Sequence, residues 1–176
     1  MSMANGSDRK LILTWLLGQI YRAEKRKQQL DERLMRINAE RDAPIGGVGY
    51  EPLPRSSGTG SGAASILLKL ADIEERIYAQ KAEIERSIVR VMDILAYLPV
   101  NSLEREICEL RHIDMKSWRQ ISEQIPMSRS ACAAHYSDAI DLLLQNARIQ
   151  EMCDHNRDAY WDWVVKKKRT KKDLGK

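Results

Sequence analysis

Three histidines (His112, His135, His155) and three cysteines (Cys108, Cys132, Cys153) are the side chains best suited to acid–base, nucleophilic or metal chemistry. Their spacing organises none of it. The histidines do not form the helical histidine pair of a zinc protease. Cys153, Asp154 and His155 are adjacent, and such neighbours are too local to set a thiol, a base and an orienting group around one reacting atom. The cysteines are odd in number and far apart, so neither a disulfide framework nor a zinc site is expected, and a reducing cytoplasm fits them best. The glycines of residues 46–62 lack the Lys-Ser/Thr ending of a P-loop. We expect no catalytic residue, no metal, no cofactor and a non-enzymatic role.

Phosphate recognition is better supplied. In "KKKRTKK", residues 166–172, Lys166, Lys167, Lys168, Arg169, Lys171 and Lys172 make six of seven positions basic. Such a run attracts phosphate without reading sequence, and its affinity falls with salt. A solvated tail is the alternative. The formal net charge is only +4, but it is unevenly spread. Residues 1–62 carry 10 basic and 7 acidic groups, 63–98 carry 5 and 6, 99–150 carry 6 and 7, and 151–176 carry 8 and 5. Both ends are positive, so any nucleic-acid contact by the middle must come from geometry.

That geometry is suggested by "SWRQISEQIPMSRSACAAHYSDAI", residues 117–140. Ser117 caps a helix with Gln120 as its capping-box partner, Pro126 ends that helix, and Ser128 opens the next. Trp118, Ile121 and Ile125 point inward from the first helix. Cys132, Tyr136, Ala139, Ile140 and Leu143 share one face of the second. An earlier helix begins near Asn101, capped with Glu104, and buries Leu103, Ile107 and Leu110. Three short helices with tight connections match a helix-turn-helix arrangement. Its outward positions are Arg129, Ser130, Ala133, Ala134 and Ser137. Arg129 is the strong guanine reader, Ser130 and Ser137 suit bases or phosphate, and the alanines permit close approach. Ser128 with its free N–H groups, and Ser117 with Arg119, suit phosphates. His135 lies nearby, as a DNA contact or a packed neutral histidine. Two helices packed for structure alone remain the alternative to DNA reading.

Longer elements must carry this unit. Apolar positions recur at Ile12, Leu16, Ile20, Ala23, Leu30, Leu34 and Ile37, with Lys27 in the gap, which predicts one amphipathic helix from about Asp8 to Glu40. A second helix is predicted from about Ala63 to Leu98, with Leu70, Ile73, Ile77, Ile84, Ile88, Val91, Leu95 and Leu98 along a near-heptad seam and Gln80 or Lys81 at its missing position. Residues 41–62 hold three of five prolines and six of nine glycines, a flexible connection. The fold class is thus all-α: a long antiparallel helical hairpin (coiled coil) over 1–98 with the loop 41–62, a helix-turn-helix domain over 99–150, and an extension with a basic tail over 151–176. The seam is too long for a small domain to cover, so a homodimer or higher oligomer is expected, with packing of the hairpin on its own C-terminal domain as the alternative. Trp161 and Trp163 are expected to pack on the body, with base stacking or partner contact as the alternative. The longest apolar runs, such as residues 11–17, are too short to span a bilayer and no cleavage site follows them, so a soluble, unprocessed protein is expected.

The stretch "LEREICELRHIDMKSWRQISEQIPMSRSACAAHYSDAIDLL", residues 103–143, resembles the fourth region of sigma-70-type factors. It is more closely similar to the sigma-like C-terminal domain of phage regulators of the RinA and ArpU type. The likeness is carried by Leu110-Arg111-His112-Ile113, Ser117-Trp118-Arg119-Gln120-Ile121-Ser122, Ser128 and Ala139-Ile140. His112 stands where the family usually has tyrosine, and Ala134 where it commonly has a basic residue. The resemblance implies a transcriptional regulator that binds double-stranded DNA in the cytoplasm of a bacterial host, activates late phage genes and engages RNA polymerase. Two other expectations stay open: a small terminase subunit binding a packaging site, and a sigma-like module that contacts RNA polymerase or another host factor.

Overall fold

The computed structural model describes residues 6–42 and 61–174, with side chains over 6–39 and 65–169. All of the regular structure among them is helical. The order is α1 (Gly6–Leu17), α2 (Gln19–Asp42), α3 (Ser61–Leu95), α4 (Leu103–His112), α5 (Trp118–Gln124), α6 (Arg129–Gln145), α7 (Ala147–His155) and α8 (Arg157–Leu174). Most of the connection expected over 41–62 lies outside the described residues.

The helix expected from Asp8 to Glu40 is interrupted at Gly18. Glycine is the weakest ordinary helix former, by about 1 kcal/mol relative to alanine. The hydrogen bonds nonetheless run on, from Gly18 N–H to Thr14 C=O at 3.1 Å and from Arg22 N–H to Gly18 C=O at 3.3 Å. At its far end α3 stops at Leu95 rather than Leu98. Tyr97 and Leu98 donate to Ile94 and Leu95, three residues back, which tightens the chain before Pro99.

Packing divides the chain into two compact units, residues 1–22 with 86–176, and residues 23–85. These limits differ from the boundaries expected at 98 and 150. The reason lies in α1, where Leu13 and Leu17 are buried as fully as Ile12 and Leu16. A stripe that wide is more than one partner helix needs, and α1 lies against α6, α7 and α8. Full burial of such a side chain stabilises by roughly 1.5–3 kcal/mol, so α1 is integral to the first unit.

In the first unit α6 is central, touching α1, α4, α5 and α7. The larger of its two cores includes Ile12, Leu17, Val91, Leu95, Ile140, Leu143, Ile149 and Tyr160. The smaller one, Ile107, Leu110, Ile121, Ile125 and Cys132, sits beneath α4 and α5, with Leu103, Trp118, Met127 and Tyr136 packed on it. In the second unit Ala23, Leu30, Leu70, Ile77 and Ile84 are buried. The missing seam position is filled by Gln80, 7% exposed, whose Nε2 donates to the Ala23 carbonyl at 3.2 Å. Lys81 is exposed, and Lys27 pairs with Asp31 at 2.8 Å. No helix among the described residues is long and apolar enough to cross a membrane.

Candidate nucleic-acid interface

The start of α4 differs from the expected Asn101 cap. Asn101 has φ 64°, a left-handed conformation, whereas an N-cap residue is extended. Ser102 is extended and caps instead, its Oγ accepting from the Arg105 N–H at 3.2 Å. Glu104, released from a capping role, meets the His135 Nδ1 at 2.9 Å. That bond, with help from backbone donors, holds the Glu104 carboxyl below its ordinary range. His135 therefore belongs to the contact between α4 and α6.

The capping box at Ser117 is present in full. The Ser117 N–H and Oγ each lie 2.8 Å from Gln120 Oε1, and Ser117 Oγ accepts from the Gln120 N–H. Arg111 secures the preceding link, donating from Nη1 to the Lys116 carbonyl at 2.8 Å while its guanidinium stacks 5.0 Å from the Trp118 ring. Met115, in that link, has φ 54°, a strained value for a side chain of its size. Ile125 is extended, as a residue before proline prefers, and turns the chain toward α6. Ser128 then caps α6, accepting from the Ala131 N–H at 3.1 Å.

On α6 the expected outward residues separate into two groups. Arg129, Ser130, Ala133 and Ala134 are exposed. Arg129 has no ion-pair partner among the described residues, so its five donors face solvent. Ser130 Oγ lies 2.9 Å from Ser128 Oγ, and both remain exposed. Ser137 is different. It is half-buried, and its Oγ accepts from Lys10 Nζ at 3.4 Å, beside the Lys10–Asp141 ion pair at 2.9 Å. Arg119 is exposed but bound to Glu123 at 2.8 Å. Asp138 is also exposed, four residues beyond Ala134 on the same helix.

Beneath this surface His112 Nε2 lies 3.0 Å from the Tyr136 hydroxyl, joining α4 to α6. Burial, reinforced by Arg111, lowers the His112 pKa to about 4, and burial raises the Tyr136 phenol to about 12. Both are neutral hydrogen-bonding partners at neutral pH. The cysteines are all buried and unpaired. Burial pushes the Cys108 thiol to about 12 and the Cys153 thiol to about 11. Asp154, beside Cys153, is held by Arg9 through Nη2 at 2.6 Å and Nε at 3.0 Å. No cluster of three or more possible metal ligands occurs among the described residues.

The basic run forms the last turns of α8. Lys166, Lys167, Lys168 and Arg169 are exposed there, while the side chains of Lys171 and Lys172 lie outside the described residues. Trp163 packs on the larger core and Trp161 remains 42% exposed, edge-on to Tyr160 at 5.2 Å. No protein-family model, curated protein or solved structure matches the chain.

Proposed function

We propose that this chain is a sequence-specific DNA-binding regulator of transcription, acting as an oligomer on phage or prophage late genes. In this reading α5, its turn and α6 are a sigma-like helix-turn-helix, and α6 enters the major groove by its N-terminal turn. The observation that carries the reading is the surface of that turn. An Arg129 without an ion partner among the described residues stands beside small exposed residues, on a helix whose opposite face is locked into two cores. A guanidinium so placed suits guanine O6 and N7, and Ser128 with Ser117 suits the flanking phosphates. Arg119 would exchange Glu123 for phosphate, and the half-buried Ser137 would have to exchange Lys10. The basic end of α8 would add attraction without base preference. α2 and α3 are read as an antiparallel hairpin, supported by the Gln80–Ala23 bond, and the hairpin as the site of self-association.

One observation favours a second reading. Asp138 is exposed on α6 and would repel phosphate, which suits a helix that contacts RNA polymerase or another protein. Selection from random and genomic duplexes by the full chain separates the two. Enrichment of one motif supports the regulator; polymerase capture without enrichment supports the module. A large ring in solution would instead favour a terminase subunit.

A further inference from the structure

Away from the α5–α6 surface, a cation is held without an anion among the described residues. Trp15 of α1 lies edge-on to Tyr160 of α8 at 5.8 Å and 6.3 Å from Trp163. The Arg22 guanidinium lies against both indoles, 5.0 Å from the Trp15 ring and 5.6 Å from the Trp163 ring. Gly18 gives it room, since a Cβ there would stand 3.1 Å from Arg22 Nη1. A second cation, the Lys167 ammonium, is 4.8 Å from the centre of the same Trp163 ring.

Neither cation has a carboxylate partner among the described residues. Arg22 is half-buried, and burial lowers its pKa to about 10, with no counter-charge offsetting the loss of water. Trp15 adds a buried Nε1–H with no acceptor among the described residues. Charges removed from water are ordinarily paired, and buried donors are ordinarily bonded. Aromatic faces offset part of the loss, but an indole cannot accept the several N–H bonds a guanidinium offers. An anion from outside would answer Arg22, and the exposed Lys167 ammonium on the same ring would share it.

We propose that Arg22 and Lys167, framed by Trp15 and Trp163, form a binding site for a phosphate group, carried by a nucleic-acid backbone or free in solution. Phosphate fits better than a single carboxylate because it carries more charge and more acceptor oxygens, both cations lie against the one Trp163 ring, at 5.6 Å and 4.8 Å, and the exposed Lys166, Lys168 and Arg169 continue the positive surface. The site needs α8 docked on α1, so the basic run acts as part of a built site. It draws on the phosphate-binding part of the proposed function and is independent of base reading by α6.

The test uses the full chain and a short random-sequence duplex, with affinity measured against salt for the native protein, Arg22→Met, Arg22→Lys and Lys167→Gln. Each lost phosphate contact should flatten the slope of log affinity on log salt by about 0.9. Arg22→Met and Lys167→Gln should show that change with helicity retained, and Arg22→Lys should keep most of the slope. Should Arg22→Met lose helicity, Lys167→Gln set against Lys168→Gln decides: a larger loss of slope at Lys167 supports the site, and an equal loss at both positions leaves only a basic tail and overturns it. A folded variant set with unchanged slopes would overturn the site and leave Arg22 a packing residue. Inorganic phosphate at constant ionic strength separates the sources. A saturable change in tryptophan emission, absent in Arg22→Met, assigns free phosphate; a response to duplex alone assigns the backbone; response to neither overturns the proposal. Motif selection through Arg129 is untouched by any of these results.

Discussion

Acidification should loosen the unit that carries α6, and His112 is the group responsible. Its ring is bonded to Tyr136 at 3.0 Å, and its pKa falls from the ordinary 6.5 to about 4 in the fold. The unfolded chain therefore takes up a proton near pH 6.5 that the folded chain refuses until near pH 4. Stability from this residue is fully present above the unfolded value and is lost as pH falls from about 6.5 toward 4. Integrated between about pH 7.5 and pH 5, the loss is about 2 kcal/mol, an upper figure because the residue keeps some solvent contact. Glu104, whose pKa is lowered, loses its own contribution only below the ordinary carboxylate range, so the two effects fall in different windows. Urea unfolding at the two pH values measures the loss directly. His112→Gln keeps a polar partner for Tyr136 but does not titrate, and it should remove most of the pH dependence. An equal loss in His112→Gln and in the native chain would refute the assignment.

Three further outcomes follow from the packing. Ile140→Ala, in the middle of the larger core, should cost about 2–5 kcal/mol in chemical unfolding and weaken the proposed DNA binding only through the folded fraction. Ser128→Ala removes the α6 cap and should cost about 1 kcal/mol of stability, measured by thermal unfolding. Gln80→Leu should leave stability equal or higher, since one buried polar group is replaced by an apolar one, while sedimentation shows a broader range of oligomers.

Much of the α5–α6 unit is legible in the chain because its signals are local. Ser117, Gln120, Pro126 and Ser128 act within a turn of their own positions, and the periodicity of Cys132, Ala139, Ile140 and Leu143 names the buried face directly. The rest depends on contacts that spacing does not encode. Ser102 rather than Asn101 caps α4 because Asn101 is left-handed, a conformation set by the turn after Pro99. α1 reads as the start of a seam helix when only Ile12 and Leu16 are counted; Leu13 and Leu17, which widen the stripe, are the signal for more than one neighbour. Ser137 looks outward by helical period, but Lys10 from the opposite end of the sequence closes over it. Arg22, Trp15 and Trp163 are brought together by the docking of α8 on α1, and no motif links them beforehand. An interrupting glycine four residues before an arginine is the only local sign.

The most direct measurement is the affinity of the full chain and of Arg129→Ala for a selected duplex and for a scrambled duplex at one fixed salt concentration. If α6 reads bases, Arg129→Ala should cost about 1–3 kcal/mol on the selected duplex and much less on the scrambled one, narrowing the ratio between them. An equal, small loss on both duplexes, or a native chain that does not distinguish them, would contradict base reading by α6.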